Sequence, residues 1–269
     1  EADQFMNTGE VTGAVSLSGG DDLIVNTGSI TGDVTAGAGA DIFMNDGGVI
    51  TGNVDLGAGD DMAALSIASN VSGLVDGGDG NDTLNIFGDV AEGEEAELAG
   101  FTSFEQLGLA VNGAVSFAEA STFGNVDIFG GSNLQINDSV LDVVSISSEG
   151  PIALALNENT TITSTGAATV QLNGGSQFVN AGSIVAAENA VRSSGNNSQL
   201  INDGSIEAGG SGFNLTDVDT VVVANTGTIT SAADAVSLQN GANVMLMNTG
   251  TIESEAGGIV AASVSSSLL

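Results

Sequence analysis

Apolar and polar residues alternate in short runs along most of the chain, and this pattern predicts β-strands. Val15/Leu17 and Leu23/Val25 are examples in which apolar side chains stand two positions apart. A period of two is typical of a strand with one buried side, so we expect such pairs to face inward. The runs are separated by Gly, Asn and Asp, which favour turns. The pattern therefore predicts many short strands joined by tight corners.

Two corner motifs repeat in residues 1–85 at nearly constant spacing. Asn-x-Gly occurs at Asn7-Thr8-Gly9 and returns at Asn26-Thr27-Gly28. The other motif is Gly-x-Gly-x-Asp, and its best copy is the stretch Gly77-Gly78-Asp79-Gly80-Asn81-Asp82-Thr83-Leu84-Asn85. The aspartates that end this corner are 19, 20 and 21 residues apart: Asp22, Asp41, Asp61 and Asp82. A corner repeated at this spacing predicts a coiling chain that brings one carboxylate per coil to the same edge.

The rest of the chain keeps the asparagine corner and loses the aspartate corner. In residues 170–269 the repeated asparagines are 22, 23 and 23 residues apart: Asn180, Asn202, Asn225 and Asn248. Residues 86–169 break the period and hold six of the ten phenylalanines, and we interpret them as irregular coils rather than a separate domain. The predicted fold is all-β: one continuous, right-handed parallel β-helix, or β-solenoid, of about a dozen coils over residues 1–269.

Charge narrows the classes of function. Asp and Glu number 34, Arg192 is the single basic residue, and the net charge is −33. Such a chain cannot neutralise phosphates, so we expect no nucleic-acid partner. No apolar run of about 18 residues is present, so we expect no membrane-embedded segment. The 42% of apolar residues are nevertheless enough for a buried core, which argues against a disordered chain.

Catalysis is limited by the residue types that the chain lacks. Without His, Cys or Lys there is no imidazole base, thiolate nucleophile or Schiff-base amine, so we predict that the protein is not an enzyme. Paired carboxylates leave glycoside hydrolysis open, and Arg192 is the one candidate base for a polysaccharide-active β-helix enzyme. A surface arginine, or one paired with Glu188, is the simpler interpretation of Arg192.

The aspartate corner allows two interpretations. Coils of a parallel solenoid stack about 4.8 Å apart, and carboxylates at that distance repel one another unless a cation lies between them. Calcium takes its oxygen ligands from carboxylates and main-chain carbonyls. The first interpretation is a Ca²⁺ ladder in the N-terminal third, held by Asp22, Asp41, Asp61 and Asp82 and helped by Asp60 and Asp79. The second is a set of Asp-Gly turns left in solvent.

The asparagine columns predict amide ladders, in which each side chain donates a hydrogen bond to the next coil. The Thr and Ser residues beside them would form a hydroxyl face of the ice-binding kind. That face is interrupted at Asp46, Ala181 and Asp203, so the ladders are the favoured interpretation of these columns.

The motifs together resemble those of a known class of bacterial proteins. The Asn-x-Gly-[Ser/Thr]-Ile and Gly-x-Gly-x-Asp coils are similar to the β-helical passenger regions of autotransporters and related repeat adhesins, over residues 4–85 and 170–258. Residues 77–85 resemble the nine-residue repeat of calcium-binding β-rolls. The resemblance implies an extracellular or cell-surface β-helix from a Gram-negative bacterium.

We therefore expect an extracellular structural protein that self-assembles through its solenoid ends into a filament, matrix or surface layer, favoured by calcium. Neither terminus shows a polar cap, including residues 264–269, so we expect a homo-oligomer or polymer built by head-to-tail stacking. The alternative is a monomeric autotransporter-type adhesin that binds a surface or a host receptor. A polysaccharide-active enzyme is the third candidate.

Overall fold

The computed structural model describes residues 1–118, 121–262 and 267–268. All regular structure in these residues is β-strand, and the strands stack in parallel as a β-solenoid of about 12 turns. The predicted all-β parallel solenoid is therefore confirmed. The chain divides into two compact units: unit 1 comprises residues 1–91 and 98–111, and unit 2 comprises residues 92–97 and 112–269.

The described strands are numbered in chain order. Those of residues 1–91 are β1 (Gln4–Asn7), β2 (Glu10–Thr12), β3 (Val15–Ser16), β4 (Leu23–Asn26), β5 (Ser29–Thr31), β6 (Val34–Ala38), β7 (Ile42–Asn45), β8 (Val49–Ile50), β9 (Val54–Ala58), β10 (Met62–Ser66), β11 (Asn70–Val71), β12 (Val75–Asp76) and β13 (Thr83–Asp89). The next are β14 (Glu95–Leu98), β15 (Phe101–Thr102), β16 (Gln106–Phe117), β17 (Ser121–Phe129), β18 (Asn133–Asn137), β19 (Val140–Glu149), β20 (Ala153–Leu156), β21 (Thr161–Ser164) and β22 (Ala168–Leu172). The last are β23 (Gln177–Asn180), β24 (Ser183–Ala186), β25 (Asn189–Ser194), β26 (Gln199–Asn202), β27 (Ser205–Ala208), β28 (Phe213–Thr216), β29 (Val222–Asn225), β30 (Thr228–Ser231), β31 (Val236–Gln239), β32 (Val244–Asn248), β33 (Thr251–Ser254), β34 (Ile259–Ala262) and β35 (Ser267–Leu268).

Coils of unit 1 have three short sides, and each side pairs in parallel with the same side of the next coil. The first sheet contains β1, β4, β7, β10 and β13, the second contains β2, β5, β8 and β11, and the third contains β3, β6, β9, β12 and β15. The register aligns equivalent residues, so Asn7, Asn26 and Asn45 lie in one column. Sequence repeats thus become columns that run from coil to coil.

The predicted inward position of Leu23 and Val25 is wrong. Val15, in the third sheet, is buried as expected, but Leu17, Leu23 and Val25 are only half-buried, whereas Ile24 and Asn26 are buried. Residues 23–25 are all apolar, so their alternation does not select a side by itself. The buried side is selected because Asn26 belongs to the asparagine column.

Unit 2 repeats the same plan with longer sides. One sheet column contains β18, β20, β23, β26, β29 and β32, a second contains β19, β21, β24, β27, β30 and β33, and a third contains β22, β25, β28, β31 and β34. The inward column of the second is a fully buried isoleucine stack: Ile162, Ile184, Ile206 and Ile229. This stack supplies apolar core to each of these four coils, whereas Ile252, in the following coil, is only half-buried.

The predicted irregular coils of residues 86–169 contain the longest strands. β19 has ten residues and pairs with both β21 and β22, which are separate sides in the next coil. Val140–Glu149 contains no Gly or Asn, the two residues that form the repeated corners elsewhere in the chain, and the strand continues through the position of the corner. Irregularity here means a missing corner rather than missing strands.

None of the described residues forms a helix with the length and apolarity needed to cross a membrane. The prediction of an uncapped end at residues 264–269 lies outside the described residues except for Ser267–Leu268, which form β35.

Candidate functional site

The aspartate corner of unit 1 begins with glycines that no other residue can replace without displacing the backbone. Gly37, Gly57 and Gly78 have φ angles of 129°, 106° and 100°. A Cβ atom on Gly57 would lie 1.8 Å from the carbonyl oxygen of Gly37, and one on Gly78 would lie 1.9 Å from that of Gly57. Glycine is therefore required for two reasons: the backbone has a positive φ, and successive coils approach too closely for a Cβ atom.

Four residues after each of these glycines, a carboxylate turns into the interior. We call Asp22, Asp41, Asp61 and Asp82 the aspartate ladder, and each is at most 2% exposed. Oδ1 of each ladder residue accepts a hydrogen bond from the main-chain N–H one coil earlier. The donors and distances are Asp3 to Asp22 at 2.6 Å, Asp22 to Asp41 at 2.7 Å, Asp41 to Asp61 at 2.7 Å and Asp61 to Asp82 at 2.8 Å. The ladder thus ties consecutive coils together.

Glu105 ends the ladder and was not predicted from the sequence. The main-chain N–H of Asp82 donates to Oε2 of Glu105 at 2.8 Å, so a glutamate takes the place of a fifth aspartate. No Gly-x-Gly motif precedes Glu105, and its 23-residue separation from Asp82 is the only signal that the sequence contains.

The second carboxylate oxygen of each ladder residue has no partner. Oδ2 of Asp22, Asp41, Asp61 and Asp82 is buried without a hydrogen bond among the described residues. Burial raises the pKa of Asp41 and Asp82, and it raises the pKa of Asp61 to about 6. The hydrogen bond from the backbone opposes these shifts, and neighbouring carboxylates reinforce them. A proton or a cation at Oδ2 would remove this electrostatic cost.

The predicted calcium ligands separate into two groups. The ladder aspartates lie together and are buried, so the interpretation of solvated Asp-Gly turns is wrong for them. The side chains of Asp60 and Asp79 are exposed instead, and Oδ1 of Asp60 accepts from the N–H of Asn81 at 3.0 Å. Within residues 1–118 and the other described segments, no group of three or more Asp, Glu, His or Cys side chains is arranged to hold a metal ion. Calcium binding therefore stays a prediction.

The geometry shows why calcium would need main-chain ligands here. Each coil supplies one ladder carboxylate, and one of its two oxygens is already bound to a backbone amide. An ion between two rungs would therefore meet at most two free Oδ2 atoms, fewer than the six to eight oxygens that calcium prefers. The remaining ligands would have to be carbonyl oxygens or water.

Both asparagine columns form the predicted amide ladders. In unit 1, Nδ2 of Asn7 donates to Oδ1 of Asn26 at 2.8 Å, and Asn26 donates likewise to Asn45 at 2.9 Å. In unit 2 the corresponding distances are 2.8, 2.7 and 2.7 Å along Asn180, Asn202, Asn225 and Asn248. Each interior amide donates and accepts, so the interior rungs satisfy themselves without an ion, whereas Oδ1 of Asn180, the first rung of unit 2, has no partner among the described residues.

Arg192, the one candidate base, has no ionisable neighbour in the register of its sheet. Arg192 is exposed, and its neighbours in the sheet register are Gln171 and Asn214, neither of which is ionisable. Unit 2 has a surface groove of about 530 Å³ elsewhere, and its acidic lining residues are Glu207, Glu253 and Glu255. The groove thus contains carboxylates without the arginine that the enzyme hypothesis requires.

No family model, curated protein or solved structure matches this chain. The β-solenoid is therefore established by the strand pairing alone, and the chemistry of the site by its own contacts. The strongest site features are the buried aspartate ladder and the two amide ladders.

Proposed function

We propose that this chain is an extracellular structural protein that assembles by stacking the coils of one copy on those of the next. The observation that carries the proposal is a complementary pair of incomplete rungs. An interior rung such as Asn26 accepts at Oδ1 from both Gly28 N and Asn7 Nδ2. Oδ1 of Asn7 accepts only from Gly9 N within the described residues. Asn7 therefore retains room for one more donor.

The opposite deficiency occurs at Asn248. The preceding rung, Asn225, donates from Nδ2 to Gly227, to Asn248 and to Thr251. Nδ2 of Asn248 donates only to the Gly250 carbonyl oxygen in the part of the chain that the structure describes. Residues 6–9 and 247–250 share the sequence Met-Asn-Thr-Gly. Asn248 of one copy and Asn7 of the next would therefore supply a matching donor and acceptor, once β35, which pairs with Val244 and Met245 of β32, gives way to the incoming copy.

Calcium and location are parts of the same proposal. Subunits with a net charge of −33 repel one another, and divalent cations weaken that repulsion. The unpartnered Oδ2 atoms of the aspartate ladder support a place for calcium within unit 1. The resemblance of the coil motifs to autotransporter passengers and repeat adhesins supports a position outside the cell, as a filament, matrix or surface layer.

Electron microscopy and sedimentation velocity of the purified chain test the assembly proposal. We expect filaments or larger oligomers in calcium and shorter ones in EDTA. Asn7→Leu and Asn248→Leu should each shorten the assemblies, and Asn133→Leu, at an exposed position outside the ladders, should not. Monomers under both conditions would refute assembly, and binding of such monomers to cells would favour the adhesin alternative.

A further inference from the structure

The outward side of the first sheet in unit 1 is apolar, although an outward side normally faces water. Its central part consists of Leu23, Val25, Ile42, Met44, Met62 and Ala64, which we call the methionine face. Met44 and Ile42 are 38% and 37% exposed. The outward residues of the adjoining rungs are also uncharged: Gln4, Met6, Thr83 and Asn85. An apolar outward side is unusual for a sheet that faces water, and exposed apolar patches are often functional.

The size of the methionine face and its adjoining rungs favours one helix rather than a second copy of the sheet. The five strands span about 19 Å, and each contributes about 13 Å along its length. The resulting area is about 250 Å², well below the roughly 800 Å² that each partner contributes to a stable interface, so the face suits a weak, transient contact. An α-helix about 10 Å wide and about 13 residues long would cover the same area.

The charges around the methionine face determine the chemistry of the partner. Asp21 and Asp60 lie in the corners just before β4 and β10, and Asp46 lies in the corner just after β7, so all three border the strands that carry the methionine face. All three aspartates are exposed. A second copy, with its own net charge of −33, would meet these margins with like charge, and so would an anionic lipid surface. Lysine or arginine side chains would meet them with opposite charge.

We propose that the methionine face is a docking site for a basic amphipathic helix of another protein. The apolar stripe of that helix lies on the side chains between Leu23 and Ala64, and its flanking Lys or Arg residues pair with Asp21, Asp46 and Asp60. Methionine suits this role because its unbranched side chain adapts to the shape of a partner. The proposal is independent of coil stacking, which uses strand edges rather than this face.

A labelled synthetic helix of about 14 residues, with a leucine stripe flanked by lysines, is the probe. We expect saturable binding by fluorescence anisotropy and shifts of the Met44 and Met62 methyl signals in NMR spectra. Met44→Glu should weaken binding about tenfold, because it buries a charge in the apolar contact. Val49→Glu is the matched control, since Val49 is 41% exposed on the second sheet, and it should bind like the unaltered chain. Met44→Gln tests the site again without added charge.

The role of the aspartates around the methionine face is tested with two double variants that remove the same number of charges. Asp46→Asn with Asp60→Asn should weaken binding and reduce its salt dependence, whereas Glu10→Gln with Asp55→Asn removes as many charges from the other sheets and should have no effect. Equal binding of a lysine peptide in which serine replaces the leucine stripe would overturn the proposal. So would dimers of the chain alone, or binding to lipid vesicles, that Met44→Glu abolishes.

Discussion

The aspartate ladder of unit 1 and the asparagine ladder of unit 2 both place one buried polar side chain per coil at a corner, yet only one is self-sufficient. Asn225 donates to Asn248 and accepts from Asn202, so its amide is satisfied by copies of itself. Asp61 accepts from one backbone amide through Oδ1, and its Oδ2 has no partner. An amide ladder is therefore indifferent to pH and ions, whereas a carboxylate ladder depends on them.

The largest effect is expected from the glycines of the aspartate corner, which combine a positive φ with close contact between coils. Gly57→Ala should lower the free energy of unfolding by about 3–5 kcal/mol, because its Cβ clashes with Gly37 and its φ is strained. Gly47→Ala is the control: its φ is also positive, at 68°, but no atom lies within 4 Å of the added Cβ. We expect it to cost about 1 kcal/mol. Urea unfolding followed by circular dichroism measures both, and equal losses would refute close coil contact.

Next in size is the loss of an interior amide rung. Asn202→Ala removes the acceptor of Asn180 and the donor to Asn225, and it should cost about 2–4 kcal/mol because buried polar groups are left unpaired. Asn133→Ala, at an exposed position, should change stability by less than about 0.5 kcal/mol. Urea unfolding compares the two, and a small loss for Asn202→Ala would mean that the ladder contributes little.

The aspartate ladder should make stability depend on pH in an unusual direction. The pKa of Asp61 is about 6 in the folded chain, whereas the usual pKa of an aspartate, taken for the unfolded chain, is 3.8. The folded chain therefore holds this proton more tightly. Its contribution is complete below pH 3.8 and is lost as pH rises through 6. Asp61→Asn keeps an Oδ1 acceptor and removes the charge. It should raise the free energy of unfolding by about 1–3 kcal/mol at pH 7.5 and leave it unchanged near pH 3.5.

Asp55→Asn separates this effect from the general relief of repulsion, because Asp55 is exposed. Urea unfolding between pH 3.5 and pH 7.5 provides the curves. Equal gains from Asp55→Asn and Asp61→Asn, or a gain that is independent of pH, would contradict the role given to burial. If calcium binds the ladder, the stabilisation that it gives at pH 7.5 should be smaller in Asp61→Asn.

The smallest effect is expected at a corner of unit 2 that turns without glycine. Asn197, Thr220 and Asn243 have φ angles of 64°, 59° and 50°, and threonine is the residue least suited to that region. Thr220→Asn should therefore stabilise the chain by about 0.5–1 kcal/mol. Thr230→Asn, in strand β30, should instead be neutral or slightly destabilising. A difference in thermal melting temperature of the wrong sign would show that Thr220 is not strained.

The fold was predictable because corner motifs are spaced by one coil. Asn26 and Asn202 were placed correctly in amide ladders, and the column from Asp22 to Asp82 was also correct. The burial of that column was not predicted, because Asp beside Gly indicates a solvated turn. The sequence pattern does not show how deeply a corner residue is buried in the folded chain. Glu105 has no motif of its own, and it was assigned to the ladder only by its contact with Asp82.

The side on which apolar residues lie was the least predictable feature. Residues 23–25 and 42–44 are apolar at every position, so the sequence does not show which alternate side chains face inward. Asn26 and Asn45 decide the phase, because a buried amide needs the next amide of its ladder. The exposed methionine face is the consequence of that choice, and it becomes visible only when the columns are aligned.

The ladder contacts join residues only 19 to 23 positions apart in the sequence. A completed coil is thus a template for the following one, and folding can propagate in one direction without waiting for distant segments. A chain that emerges end first from a ribosome or an export channel would gain each new coil once about twenty further residues are free. Directional growth of this kind keeps the length of unfolded, aggregation-prone chain short at every moment.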